Sequence, residues 1–158
     1  MSLLRTVLPW SRASSLAALL PFFALSPAGA QSWGYANGTA GLSVEDRFTG
    51  LTVECAGAGL ALGFSGFSTR LQAGAAYTVV ITIDGIARRF RAIAFTGGRE
   101  AGSVLRAAVT GGEATDLVEA LRRGRKAVVA TPAGRYEVPL AGSAQALEKL
   151  RTGCGFAD

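Results

Sequence analysis

AYTVVITIDGIARRFRAIAF, from Ala76 to Phe95, carries the clearest structural instruction in this chain of 158 residues. Tyr77, Val79, Ile81 and Ile83 alternate with Thr78, Val80, Thr82 and Asp84, the period of a strand with one buried face. Asp84-Gly85 then reverses the chain into a second β-prone run, which together make the strongest short-range signal for a β-hairpin. A two-residue turn pairs Ile83 with Ile86 and Val79 with Phe90, and so leaves Arg89 and Arg91 on the outer face beside Val80 and Thr78. Arg88 then points with the apolar set. An inward charge discourages edge-to-edge pairing, so Arg88 marks either an edge strand or a bulge that shifts the register.

On the N-terminal side of the hairpin, Gln31 to Ala36 reads as a short strand, and Asn37-Gly38 turns it into Thr39 to Asp46. Leu51 to Cys55 and Leu60 to Phe64 read as two more strands, joined across Gly57-Ala58-Gly59. On the C-terminal side Ser103 to Val109 is a further strand. Gly111-Gly112 should break the chain before a helix over Glu113 to Arg123, with Leu117, Val118 and Leu121 on one face. Acidic residues near its start and Arg122 and Arg123 at its end follow the order that a helix dipole favours. Lys126 to Thr131 and Arg135 to Leu140 form a second hairpin around Pro132-Ala133-Gly134, and a last helix is expected from an N-cap at Ser143 to a stop at Gly153. The expected fold is therefore mainly β: a single-domain β-sandwich or open barrel of about eight strands with two short helices.

Residues 1–30 are expected to be a cleaved secretory signal, leaving one β-rich domain over 31–158. Arg5 and Arg12 precede or flank an apolar stretch from Ala13 to Leu25, and Ala28-Gly29-Ala30 supplies small residues of the cleavage type. The stretch is shorter than the roughly 20 residues a spanning helix needs, and Pro21 interrupts it. Two of the 16 basic residues lie in this leader, so 14 remain against 11 acidic ones, a net charge of +3. That balance does not call for a nucleic-acid partner. Export also gives the two cysteines a meaning: Cys55 and Cys154 are expected to form a disulfide across nearly the whole domain, worth up to roughly 4 to 5 kcal/mol in the loop-entropy model. The expected location is the periplasm or the medium.

The absence of histidine removes the commonest general base near neutral pH and the commonest metal ligand. It rules out Ser-His-Asp and Cys-His sites, and no serine is followed three residues later by lysine. Gly57-Ala58-Gly59 fails as a dinucleotide fingerprint because the next required glycine position is Leu62 and no helix follows. Glu54, Asp84, Glu100 and Glu137 are the carboxylates to consider for acid–base work. Asp84 belongs to a turn, and the other three read as solvated strand or loop positions. No catalytic residue, metal or cofactor is assigned. What stands out instead are two basic clusters, Arg88, Arg89 and Arg91 on the hairpin and Arg122, Arg123, Arg125 and Lys126 after the first helix. The first is the candidate contact strip for an anionic partner, a protein or a component of the cell envelope.

The tail from Tyr136 to Leu150, YEVPLAGSAQALEKL, has a strand ending in Leu140-Ala141-Gly142 that leads into an Ala146-Leu147-x-x-Leu150 helix. In this it resembles small secreted bacterial proteins of the invasion-associated locus B type. The resemblance implies a periplasmic or surface β protein of non-enzymatic character and carries no site residue across. Sequence and resemblance thus lead to a non-catalytic exported binding or accessory module acting on a protein or envelope partner. The competing expectation is an inhibitor of a secreted hydrolase, of lysozyme or protease type, since small stapled β domains with rigid loops suit that task. A first consequence concerns the hairpin turn. Gly85→Val should lower the urea midpoint clearly, because a β-branched residue resists the positive φ that the turn needs; an unchanged midpoint would place the turn elsewhere.

Overall fold

The computed structural model describes residues 31–97 and 102–154; the expected leader lies outside them. The strands are β1 (Ser32–Ala36), β2 (Thr39–Val44), β3 (Arg47–Ala56), β4 (Gly59–Phe64), β5 (Ala76–Ile83), β6 (Ile86–Thr96), β7 (Ser103–Thr110), β8 (Lys126–Thr131) and β9 (Gly134–Pro139). Helix α1 (Gly111–Arg123) follows β7, and α2 (Ser143–Cys154) ends the described chain. All nine strands belong to one antiparallel open sheet in the order β1-β2-β3-β4-β7-β6-β5-β8-β9. The fold is mainly β with two helices, as the alternation requires, and the sheet is single, so the two-sheet sandwich is not the arrangement.

The β5–β6 hairpin has the register expected of a two-residue turn: Ile83 faces Ile86, Val79 faces Phe90, and pairing runs without a shift to Ala76 and Ile93. Asp84 and Gly85 take φ of 46° and 89°, the left-handed pair of a type I′ turn. Three differences from the sequence reading have local causes. Gly111 and Gly112 lie within the first turn of α1, whose N-cap is Thr110, instead of preceding the helix. Gly153 lies inside α2, which runs to Cys154. Ser143 does not cap α2 with its side chain; its buried hydroxyl donates to the Leu121 carbonyl at 2.7 Å and ties the start of α2 to α1.

One face of the sheet is apolar along every strand. Leu51, Val53, Leu62, Phe64, Val79, Ile81, Ala92, Ala94, Leu105 and Val129 lose essentially all contact with solvent. The sheet curls around this face, and the helices cover it from one end: α2 packs on β1 and β2, and α1 on α2, β7 and β4. Leu117 and Leu121 of α1 and Leu147 and Leu150 of α2 complete the core. Cys55 of β3 and Cys154 of α2 are joined in a disulfide, 99 residues apart in sequence, which holds α2 against the sheet.

Two groups of hydrogen bonds draw the edges of the open sheet together. Trp33 of β1 donates its backbone N–H to Ala141 at 2.8 Å and its indole N–H to the Pro139 carbonyl at 2.9 Å. The second group depends on a bulge. Pairing of β2 with β3 jumps from Gly41–Thr52 to Leu42–Thr49, so Gly50, at φ 73°, and Leu51 have no partners in β2. The Gly50 carbonyl faces β4, where it accepts from Ser65 N–H at 2.9 Å one step beyond the Leu51–Phe64 pair, and it also accepts from the Tyr136 hydroxyl of β9 at 3.2 Å. Burial raises the Tyr136 pKa well above its ordinary value near 10. The unfolded chain therefore releases this proton first, so the stabilisation is complete below about pH 10 and is lost as pH rises beyond it. Tyr136→Phe should cost about 1 kcal/mol at pH 7 by loss of the bond to Gly50. It should also flatten the fall of stability above about pH 10, measured by urea unfolding from pH 7 to 11; an alkaline slope equal to wild type would remove Tyr136 as its source.

Candidate functional site

The outer face of the sheet carries several charged side chains, and their pairing differs sharply from place to place. Arg106 of β7 reaches over the small outward residues Ala61 and Gly63 of β4 to form an ion pair with Glu54 of β3. Lys126 of β8 meets Glu137 of β9 at 2.8 Å. In the basic cluster after α1, Arg122 and Arg123 are likewise compensated, whereas Arg125 has no carboxylate partner among the described residues. Arg122 binds Glu119 at 3.2 Å and Glu148 of α2 at 3.4 Å, and Arg123 pairs with Glu119. Two of the carboxylates singled out in the sequence, Glu54 and Glu137, are thus used as counter-ions. Asp84 is in the hairpin turn, and Glu100 lies outside the described residues.

The strip on β6 is different. Arg89 and Arg91 are exposed on the outer face opposite Val80 and Thr78, and neither has an anionic partner among the described residues. Alternation explains their placement: they share a face with Ile93 and the half-exposed Phe95, whereas Phe90, Ala92 and Ala94 point into the core. A shallow depression of about 450 Å³ is lined by Ala76, Tyr77, Thr78, Arg89, Phe90 and Arg91.

Arg88 occupies an inward position opposite the fully buried Ile81. The unbroken register discards the bulge, and the sheet order discards a simple edge, since β6 lies between β5 and β7. An edge nevertheless exists in part. Pairing with β7 covers only Ile93–Thr96 against Ser103–Arg106, so Ile86–Ala92 is bonded to β5 alone. Arg88 stands beside this unpaired half, partly buried, with Nη1 withdrawn from solvent and without a hydrogen-bond acceptor. A buried cationic donor lacking an acceptor is costly.

A second concavity, about 440 Å³, lies between α1 and α2 over Leu60, with Ala114, Val118, Leu147 and Leu150 among its lining. Sequence reading did not find it, because it depends on how two amphipathic helices meet. The role of Trp33 as an edge-to-edge bridge was also hidden, since Pro139 and Ala141 are more than a hundred residues away. Among the described residues no three His, Cys, Asp or Glu side chains are grouped so as to hold a metal ion, and no helix is long and apolar enough to cross a membrane. Comparisons with protein-family models, curated proteins and solved structures found no match.

The unpaired Nη1 of Arg88 has an energetic consequence. Arg88→Met keeps much of the aliphatic stem and removes the orphaned donor, so it should stabilise the fold by about 1 kcal/mol. Urea unfolding checks this, and a destabilised variant would mean that the guanidinium is already satisfied in solution.

Proposed function

We propose that this protein is a non-catalytic exported binding module that engages an anionic partner through the arginines of the β5–β6 hairpin. The observation that carries the reading is the contrast in pairing on the outer face of the sheet. Arg106 and Lys126 there each have a carboxylate within ion-pair distance, whereas the adjacent pair Arg89 and Arg91, like the single Arg135 of β9, have none among the described residues. Cations on adjacent outward positions of a rigid strand repel each other and add nothing to the core, so an external counter-charge gives their placement a use. The preformed hairpin also limits the entropy lost on binding.

Residence in an oxidising compartment is part of the same reading. The Cys55–Cys154 disulfide fits such a location, because a cytosolic thiol pool would tend to reduce it. The resemblance of the tail to invasion-associated locus B proteins points the same way, to the periplasm or cell surface.

The test is site-specific photocrosslinking in intact cells, with the probe at Thr78, which is exposed beside Arg91. Capture of a discrete acidic protein or envelope component is expected, weakened by at least about tenfold when Arg89 and Arg91 are both replaced by Glu, and by raised salt. An adduct pattern indifferent to charge reversal would overturn the proposal.

A further inference from the structure

The hydrogen-bond phase of the β5–β6 hairpin determines which peptide groups of β6 are free. In a two-residue hairpin the pair flanking the turn, here Ile83 and Ile86, is hydrogen-bonded, and bonded and non-bonded pairs alternate from there. Ile86, Arg88, Phe90 and Ala92 therefore turn their N–H and C=O groups toward β5. The same phase holds at the far end, where Ala94 N–H donates to Ala75 at 3.0 Å and the Ala94 carbonyl accepts from Gly74 N–H at 2.8 Å. Ala87, Arg89 and Arg91 turn theirs to the other side, along which no described strand is paired. The same three residues have exposed side chains. Among the described residues, a row of backbone donors and acceptors without partners thus coincides with two uncompensated cations.

We propose, resting on the binding reading above, that Ile86–Ala92 of β6 accepts an extended acidic segment of a partner protein as an added antiparallel strand. Backbone hydrogen bonds to Ala87, Arg89 and Arg91 give the affinity, and side chains opposite them read charge. Acidic residues facing Arg89 and Arg91 lie on the outer face. Opposite Arg88 the incoming residue forms a non-hydrogen-bonded pair, in which side chains approach most closely on the inner face. A carboxylate at that position supplies the acceptor that Nη1 lacks. A small or apolar residue suits the place opposite Phe90.

A second copy of this chain fits the half-edge poorly. Antiparallel self-pairing about Arg89 sets that arginine against its own copy, and like charges directly opposite destabilise a ladder. The arginines act here as a selection rule, repelling identical edges and admitting acidic ones.

The test uses the full-length protein and a blocked peptide, acetyl-Ser-Glu-Val-Glu-Glu-Thr-Ser-amide, whose glutamates are spaced for Arg91, Arg89 and Arg88 in turn. Binding should slow amide hydrogen exchange by about tenfold or more at Ala87, Arg89 and Arg91, leaving Arg88 and Phe90, already bonded to β5, unchanged. N-methylation of the two glutamates that face Arg91 and Arg89 keeps the charge but blocks the ladder, and should weaken binding by at least about tenfold. Equal binding of the methylated peptide, or protection without the alternation, overturns strand addition while leaving the charged contact standing. Equal binding of a lysine-for-glutamate peptide overturns the charged contact as well. Self-association in sedimentation that disappears with Arg89→Ser and Arg91→Ser would identify a second copy as the occupant and overturn the proposal.

Discussion

The carbonyl of Gly50 is the point at which this open sheet is drawn around its own core. A sheet with one apolar face must cover it, and nine strands curled on themselves do so only if the two ends of the sheet meet. The Gly50 carbonyl, at the bulge in β3, keeps its bond to Ser65 beside β4 and also accepts from Tyr136 at the opposite end of the sheet. Trp33 completes the join from β1 by donating to both Pro139 and Ala141. The bonds from Tyr136 and Trp33 do not continue the ladder, which remains open, but they hold the curl on which burial of Leu51, Phe64, Ile81 and Leu105 depends. The disulfide and the Ser143–Leu121 bond then hold the helices over the end that curling leaves uncovered.

Curling also explains why a strand in the middle of the sheet order carries a partial edge. β7 serves two partners over different lengths: it is paired with β4 from Leu105 to Thr110 but with β6 only from Ser103 to Arg106. Beyond Arg106 the chain continues alongside β4 toward α1, and the first half of β6 is left bonded on one side. Arg89 and Arg91 on this half-edge have no counter-ions among the described residues, whereas Arg106, across the small outward residues of β4, is compensated by Glu54. The half-edge left by the fold and a pair of adjacent uncompensated arginines thus fall on the same seven-residue stretch.

Arg88 shows the tension between stability and use. An inward guanidinium with a buried, unpaired Nη1 is a local cost that an apolar residue would avoid. On the proposed reading that cost has a use, because a site for an acidic strand keeps an acceptor place open until its partner arrives.

Much of the architecture was legible in the residues. Strict alternation in β5 and β6 with Asp84-Gly85 between them determined that hairpin and its register, since a slip of one residue would have turned Val79, Ile81 and Ile83 to water. The even cysteine count indicated the Cys55–Cys154 bond, and the same alternation put Arg89 and Arg91 outside and Arg88 inside. Helix ends were less legible: Gly111 and Gly153 read as breakers, yet each lies inside a helix held by tertiary contacts and the disulfide. Of the ion pairs, only those spaced along α1, Glu119 with Arg122 and Arg123, lay within reach of the sequence; Arg106 meets Glu54 and Arg122 meets Glu148 only after strands and helices distant in sequence are laid side by side. Local pattern thus determined the strands and the faces of their side chains, which depend on neighbours one and two residues away. The closing bonds of Trp33 and Tyr136, the half-edge of β6 and the uncompensated charge beside it were decided by tertiary structure, because each is a relation between segments that only curling brings together.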